Sequence, residues 1–168
     1  MKYSEFRSRI SQGDIVALSH KSYGSWYDLQ IMAIRIFDKT EYTHVGVVVE
    51  IGDRKFVLES VEPVVRLMPL SNYLDNGFYI IPMNAPMSDE EFNYGMSLVG
   101  KGKYSKIEAI RAFFKKLNLS SRDVYECAKL VIQCRRMSGI DLGNVATPSS
   151  VVLAAQNLGK PVYFIDEE

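Results

Sequence analysis

Cys127, His44 and Glu59 are the residues whose types could do chemistry together. A thiol becomes a strong nucleophile once it loses its proton. An imidazole can take that proton near neutrality, and a carboxylate can hold the second ring nitrogen and fix its tautomer. Each residue also has a plain structural alternative: a buried core cysteine, a structural histidine at a strand edge, or a simple edge ion pair. Their sequence contexts bear on the choice. His44 opens the apolar run "HVGVVV", and Glu59 closes "FVLES". Between them, "IGDR" (Ile51 to Arg54) carries the Gly-Asp of a tight hairpin turn. Centring that turn on Gly52 and Asp53 makes opposing positions sum to about 105, so His44 faces position 61 and Glu59 falls roughly two residues away. Cys127 lies in "RDVYECAKLVIQC", where Asp123 and Glu126 have capping spacing. This puts the cysteine near a helix start, where backbone N–H groups and the helix dipole favour a thiolate and can support an oxyanion.

The other chemically active residues read more simply. Cys134 lies two helical turns deeper among Val131, Ile132 and Met137 and reads as a buried, inert thiol. Seven residues of helix separate it from Cys127 by about 10 Å, too far for a disulfide. His20 sits in a polar stretch and reads as an exposed or capping residue. No Cys/His spacing of metal-binding type occurs, and no cofactor or metal is expected.

The elements that must position these residues follow from the local patterns. "DIVAL" (Asp14 to Leu18) predicts a short buried strand after a turn at Gly13. "SWYDLQIMAIRIF" (Ser25 to Phe37) has helical spacing of its apolar residues. After the hairpin, "VVRLMPL" and "FYIIPM" predict strands, with a single helical turn at "LSNYL" (Leu70 to Leu74). The second half changes period. Ser88 with Glu91, and Ser105 with Glu108, are capping-box pairs that open helices, the first of which ends at Gly100. The cysteine helix runs to a cap at Gly139. Thr147, Pro148 and Gly159 bracket another helix, and "PVYFI" (Pro161 to Ile165) closes as a strand. Strands first and helices later predict an α+β fold, with an antiparallel sheet because the central strands are joined by hairpin-length turns. The absence of a repeat or linker predicts one domain over residues 1–168.

Composition excludes some classes. The 168 residues carry 20 Lys plus Arg against 20 Asp plus Glu, so the whole-chain basic excess of a nucleic-acid binder is missing. Arg111, Lys115, Lys116, Arg135 and Arg136 read either as solvated helix faces or as a local basic patch. The polar N-terminus lacks the apolar core of a signal peptide, and no run reaches the roughly 20 apolar residues of a spanning helix. The expectation is a chain without a transmembrane segment, made in the cytoplasm, or released by lysis if phage-encoded.

The ordered set "GDIV", "THVGVVV", "FVLES", "GKGKY", "YECAKLV" and "ATPSSV" resembles the permuted NlpC-type papain-fold cysteine peptidases, and within them the YiiX-like branch. In that branch the histidine strand precedes the cysteine helix, as here. The resemblance implies a circularly permuted papain-like fold, Cys127 as nucleophile, His44 as general base and Glu59 as the orienting third residue. Asp14 and Tyr125 match positions that line or brace the site. Family members often carry Cys-Ser-Glu-Leu-Val, where this chain has Cys127, Ala128, Lys129, Leu130 and Val131. Tyr42 and Tyr104, with Tyr23, Tyr27 and Tyr125, lie near the motifs and could line a cleft for a peptide or acyl chain, or simply edge the core. The function so implied is an amidase or peptidase acting on a peptide or cell-wall peptide through an acyl-enzyme. A thioesterase or acyltransferase on lipid-like substrates, and a non-catalytic peptide- or acyl-binding relative, are the alternatives.

Overall fold

The structure, a computed structural model, describes residues 1–19, 42–61, 64–101, 126–145 and 147–167. Expectations for the helix over 25–37, the Ser105/Glu108 helix, His20, Tyr23, Tyr27, Tyr104, Asp123 and Tyr125 lie outside these residues.

The described strands are β1 (Ile15–Leu18), β2 (His44–Ile51), β3 (Arg54–Val61), β4 (Val64–Pro69), β5 (Phe78–Ile81) and β6 (Tyr163–Ile165). They form one sheet in the order β4-β3-β2-β1-β5-β6, and every neighbouring pair is antiparallel. The helices are α1 (Tyr3–Phe6), α2 (Asp89–Leu98), α3 (Glu126–Met137) and α4 (Pro148–Asn157), with 3-10 turns at Arg7–Arg9 and Leu70–Asn76. The 3-10 turn after β4 is thus longer than the single turn expected.

Both faces of the sheet are covered, which explains why its central strands are nearly continuous apolar runs rather than alternating ones. On one face Ile15, Ala17, Val45, Val47, Val49 and Leu58 pack against Ala128, Val131, Ile132 and Cys134 of α3 and Val151, Val152 and Ala155 of α4. On the other, Val16, Val48, Val57 and Ile80 meet Phe6, Ile10, Leu70 and Leu74. Fully burying one such side chain contributes about 1.5–3 kcal/mol, so α3 is held on β2 and β3 by packing rather than by polar contacts.

The β2–β3 register has Val47 opposite Leu58 and Ile51 opposite Arg54, the sum of 105 that the turn implied. Gly52 reverses the chain with φ 63°. Thr147 and Ser150 exchange side-chain and backbone hydrogen bonds in a complete capping box at the start of α4. At α2 only half of the expected box forms. Ser88 Oγ accepts from the Glu91 N–H at 3.1 Å, but the Glu91 carboxylate turns inward to Arg135 and Ser138. A buried cation competes better for a carboxylate than an N-cap amide does, and the Ser88 N–H donates instead to Ser138 Oγ at 2.9 Å.

Arg135 corrects the sequence reading. It belongs neither to a basic patch nor to a solvated face: it is fully buried, pairs with Glu91 at 2.9 Å and donates to the Ala85 carbonyl at 2.8 Å. Its neighbour Arg136 is exposed and donates to Gly143 and Asn144.

Candidate functional site

His44 is the first residue of β2, and the chain just before it is tied down. The Thr43 N–H donates to the Leu18 carbonyl at 2.9 Å, and Leu18 pairs with His44 across β1 and β2. Continuing the β2–β3 register puts Gly46 across from Glu59, two residues along the strand from His44. A Cβ on Gly46 would sit 2.4 Å from Val57 Cγ1, 2.9 Å from the Leu58 carbonyl and 3.4 Å from Glu59 Cβ. The missing side chain leaves Glu59 room to reach diagonally past Gly46. Its Oε2 accepts from His44 Nε2 at 2.7 Å. The partnership is therefore a diagonal cross-strand pair, the type of offset that long side chains bridge.

Nε2 being taken, Nδ1 is the ring nitrogen left for the thiol. Cys127, the second residue of α3 as described, is half-buried beside the His44 ring, and the nearby backbone N–H groups of Val45 and Ala128 also favour its thiolate. Burial opposes charge on both partners. It is outweighed by their mutual attraction, by their hydrogen bonds and, for His44, by Glu59. The Cys127 pKa is lowered and that of His44 is pushed up to about 10. The favoured state between those values is a thiolate–imidazolium pair. Glu59 itself is fully buried. Burial would raise its pKa, but His44, Tyr73 and Arg66 hold it below the ordinary carboxylate range.

Two residues not singled out in the sequence stand behind Glu59. Arg66 of β4 pairs directly with it and donates from Nε to Oε1 at 2.8 Å. The Tyr73 hydroxyl is buried beside Glu59 and Arg66 without a hydrogen bond of ordinary geometry to any group. Arg66 was findable. The β3–β4 register sums to 125, centred on "EP" at positions 62 and 63, and the hairpin arithmetic used for His44 puts position 66 opposite 59. Nothing in the sequence pattern marks Tyr73.

Of the other expected site residues that are described, Asp14 lies away from His44 and Tyr42 stands two residues before it. Asp14 immediately precedes β1, at the end of that strand away from His44. Its carboxylate is 3% exposed and accepts from the Ser11 N–H at 2.8 Å and the Met83 N–H at 2.9 Å. It ties β1 to the segment after β5, and its pKa is raised by burial. Four residues of strand, roughly 13 Å, separate it from the His44 end. Tyr42 is half-buried and stacks edge-on against Tyr79, ring centroids 5.1 Å apart at 85°, beside Phe164.

No protein-family model matches this chain. No curated protein matches it in sequence. Among solved structures it is similar to the metalloprotein yiiX of Escherichia coli O157:H7, with a TM-score of 0.54 and 20% identity over 80% of this chain and 69% of that one. At that identity the likeness establishes the fold: an α+β architecture with an antiparallel sheet packed against helices.

The neighbour yiiX is a metalloprotein. Among the described residues no three His, Cys, Asp or Glu side chains are gathered to hold an ion. Both Glu59 oxygens are engaged by His44 and Arg66, and His44 Nε2 by Glu59. The described donor set does not fit a metal centre, and no step below runs through one. No described helix is long and apolar enough to cross a membrane.

Proposed function

We propose that this chain is a cysteine hydrolase that cleaves an amide bond in a peptide or cell-wall peptide through an acyl-enzyme. The observation that carries the reading is the chain of contacts from the Cys127 thiol through the His44 ring to the buried Glu59 carboxylate. It supplies an activated nucleophile, a base and an orienter in one continuous set. The YiiX-like, permuted papain-type architecture expected from the sequence is consistent with the structural likeness to yiiX.

In the proposed reaction the Cys127 thiolate attacks the carbonyl carbon, and its electron pair forms the thioester bond. The backbone N–H of Cys127, near the start of α3, supports the oxyanion. Protonated His44 gives its proton to the leaving amine, which departs. His44, now neutral, takes a proton from water, whose oxygen attacks the thioester and releases the acid and the thiolate. Glu59 keeps the ring oriented and stabilises its charge throughout.

A panel of cell-wall peptides and acyl esters tests this reading. Cleavage of peptides that is lost in Cys127→Ala supports the amidase. Turnover of acyl esters alone assigns a thioesterase or acyltransferase. Full activity in Cys127→Ala rejects the mechanism, and binding without turnover of either class identifies a non-catalytic relative.

A further inference from the structure

We propose that Arg66 is a positioning residue: its guanidinium holds the buried Glu59 carboxylate in the orientation from which it accepts the hydrogen bond of the His44 Nε2–H. This inference rests on the hydrolase reading above, and it adds a fourth member to the set.

Three observations lead to it. The first is register. Arg66 and Glu59 are direct cross-strand partners of β3 and β4, so their contact is fixed by the ladder and not by the chance meeting of two surface side chains. The second is the division of the carboxylate. Glu59 is fully buried, with Oε1 bound by Arg66 at 2.8 Å and Oε2 bound to His44 at 2.7 Å. A carboxylate gripped at one oxygen by an N–H donor cannot rotate the other away from the imidazole. The third is the competitor. The Tyr73 hydroxyl lies beside the same carboxylate, buried and without a well-formed hydrogen bond. A buried donor gains by finding an acceptor, so it has reason to capture any carboxylate that comes loose. With Arg66 in place Glu59 serves His44. Without it, Glu59 is free to turn to Tyr73.

An ordinary exposed ion pair would behave differently. Such pairs contribute little to stability and orient nothing. The Arg66 side chain is 41% exposed, whereas its partner is 1% exposed, so the pair is anchored at the buried carboxylate. Loss of the cation therefore acts on the site rather than on a solvated surface.

The test uses the full chain and two readouts that a purely structural role would leave unchanged in folded protein. The chain has two histidines, so the imidazole resonances of His44 are assigned by comparison with His44→Ala. In the unaltered protein the Nε2 proton should give a downfield, slowly exchanging signal. In Arg66→Gln that signal should weaken or vanish, and iodoacetamide alkylation of Cys127 at pH 7 should slow by about tenfold, the scale on which outer partners of a reactive group act. Arg66→Lys, which keeps the charge but not the directed Nε–H, should fall between. Adding Tyr73→Phe to Arg66→Gln should restore part of the signal and of the rate, because the competing donor is gone. An unchanged signal and rate in folded Arg66→Gln overturns the proposal. If Arg66→Gln does not fold, Arg66→Lys decides: a reduced signal and rate support the role, and unchanged values overturn it. His44→Ala separates the two levels. Cys127 alkylation indifferent to His44→Ala sinks the hydrolase reading itself, whereas sensitivity to His44→Ala without sensitivity to Arg66 sinks this inference alone.

Discussion

The two ends of α3 put the same kinds of side chain to opposite uses. Near its start, Cys127 is half-buried beside an imidazole, and has a lowered pKa. Two turns on, Cys134 is fully buried and its pKa is pushed up to about 12, by burial first and by the Glu91 carboxylate second. Charges differ in the same way. The start of the helix meets a chain of partners that leads outward to the half-exposed Arg66. Its far end meets Arg135 and Glu91, both wholly enclosed, with Ser138 and the Ala85 carbonyl closing the cluster. Gly13, at φ 94°, packs so closely there that a Cβ would lie 2.5 Å from Arg135 Nη1. The lesson is that burial alone does not make a reactive group. The end proposed to be reactive pairs a titratable thiol with a titratable ring, whereas the other end pairs a permanent cation with a carboxylate and leaves its thiol among apolar neighbours.

Substitutions at the two ends should separate these roles, and the largest effect is expected at the reactive one. Cys127→Ala should reduce turnover to background with the unfolding midpoint little changed, whereas Cys134→Ala should keep activity; equal loss in both would break the contrast. At the other end, Arg135→Met leaves Glu91 charged and buried without its partner. It should cost on the order of 3–5 kcal/mol in denaturant unfolding while Cys127 alkylation in the folded fraction stays normal.

The pH dependence sharpens the comparison. Cys127 has a lowered pKa, so its thiolate persists below the ordinary thiol value of about 8.5 and is lost as pH falls through the folded value. His44 has a raised pKa, so its positive charge persists above the ordinary imidazole value and is lost as pH climbs toward about 10. Alkylation of Cys127 should therefore proceed at pH 7, and in His44→Ala its midpoint should move up by at least about one unit. Cys134 should label only on unfolding. A smaller effect is expected at Gly46→Ala, whose Cβ would press on Val57 Cγ1 and the Leu58 carbonyl. About 1–3 kcal/mol of destabilisation should follow, with slower Cys127 alkylation as Glu59 is displaced. Tyr73→Phe in the otherwise unaltered chain should act in the opposite, stabilising direction, by up to about 1 kcal/mol, since it removes a buried hydroxyl that makes no well-formed hydrogen bond.

Local physics made much of the fold legible. The Gly52–Asp53 turn determines the β2–β3 register, because a two-residue turn leaves a hairpin no other alignment, and with it Glu59 falls within reach of His44. The Thr147 cap, the Pro148 start and the apolar strands are equally local and were read directly. The same reasoning stopped at Glu91, which looked like half of a capping box, and at Arg135, which looked like a surface cation. Their pairing joins positions 44 residues apart, and no local pattern carries that distance.

Sequence by itself therefore determined the strands, the hairpin alignment and the identity of the groups with reactive side chains, since these depend on neighbours a few bonds or one turn away. Tertiary structure alone decided that the start of α3 comes to the His44 end of β2, that Asp14 braces the far end of β1, and that Tyr73 lies beside the carboxylate. Those outcomes depend on how α3 and the Leu70–Asn76 turn dock against opposite faces of the sheet, and docking is set by packing summed over many apolar side chains rather than by any one of them.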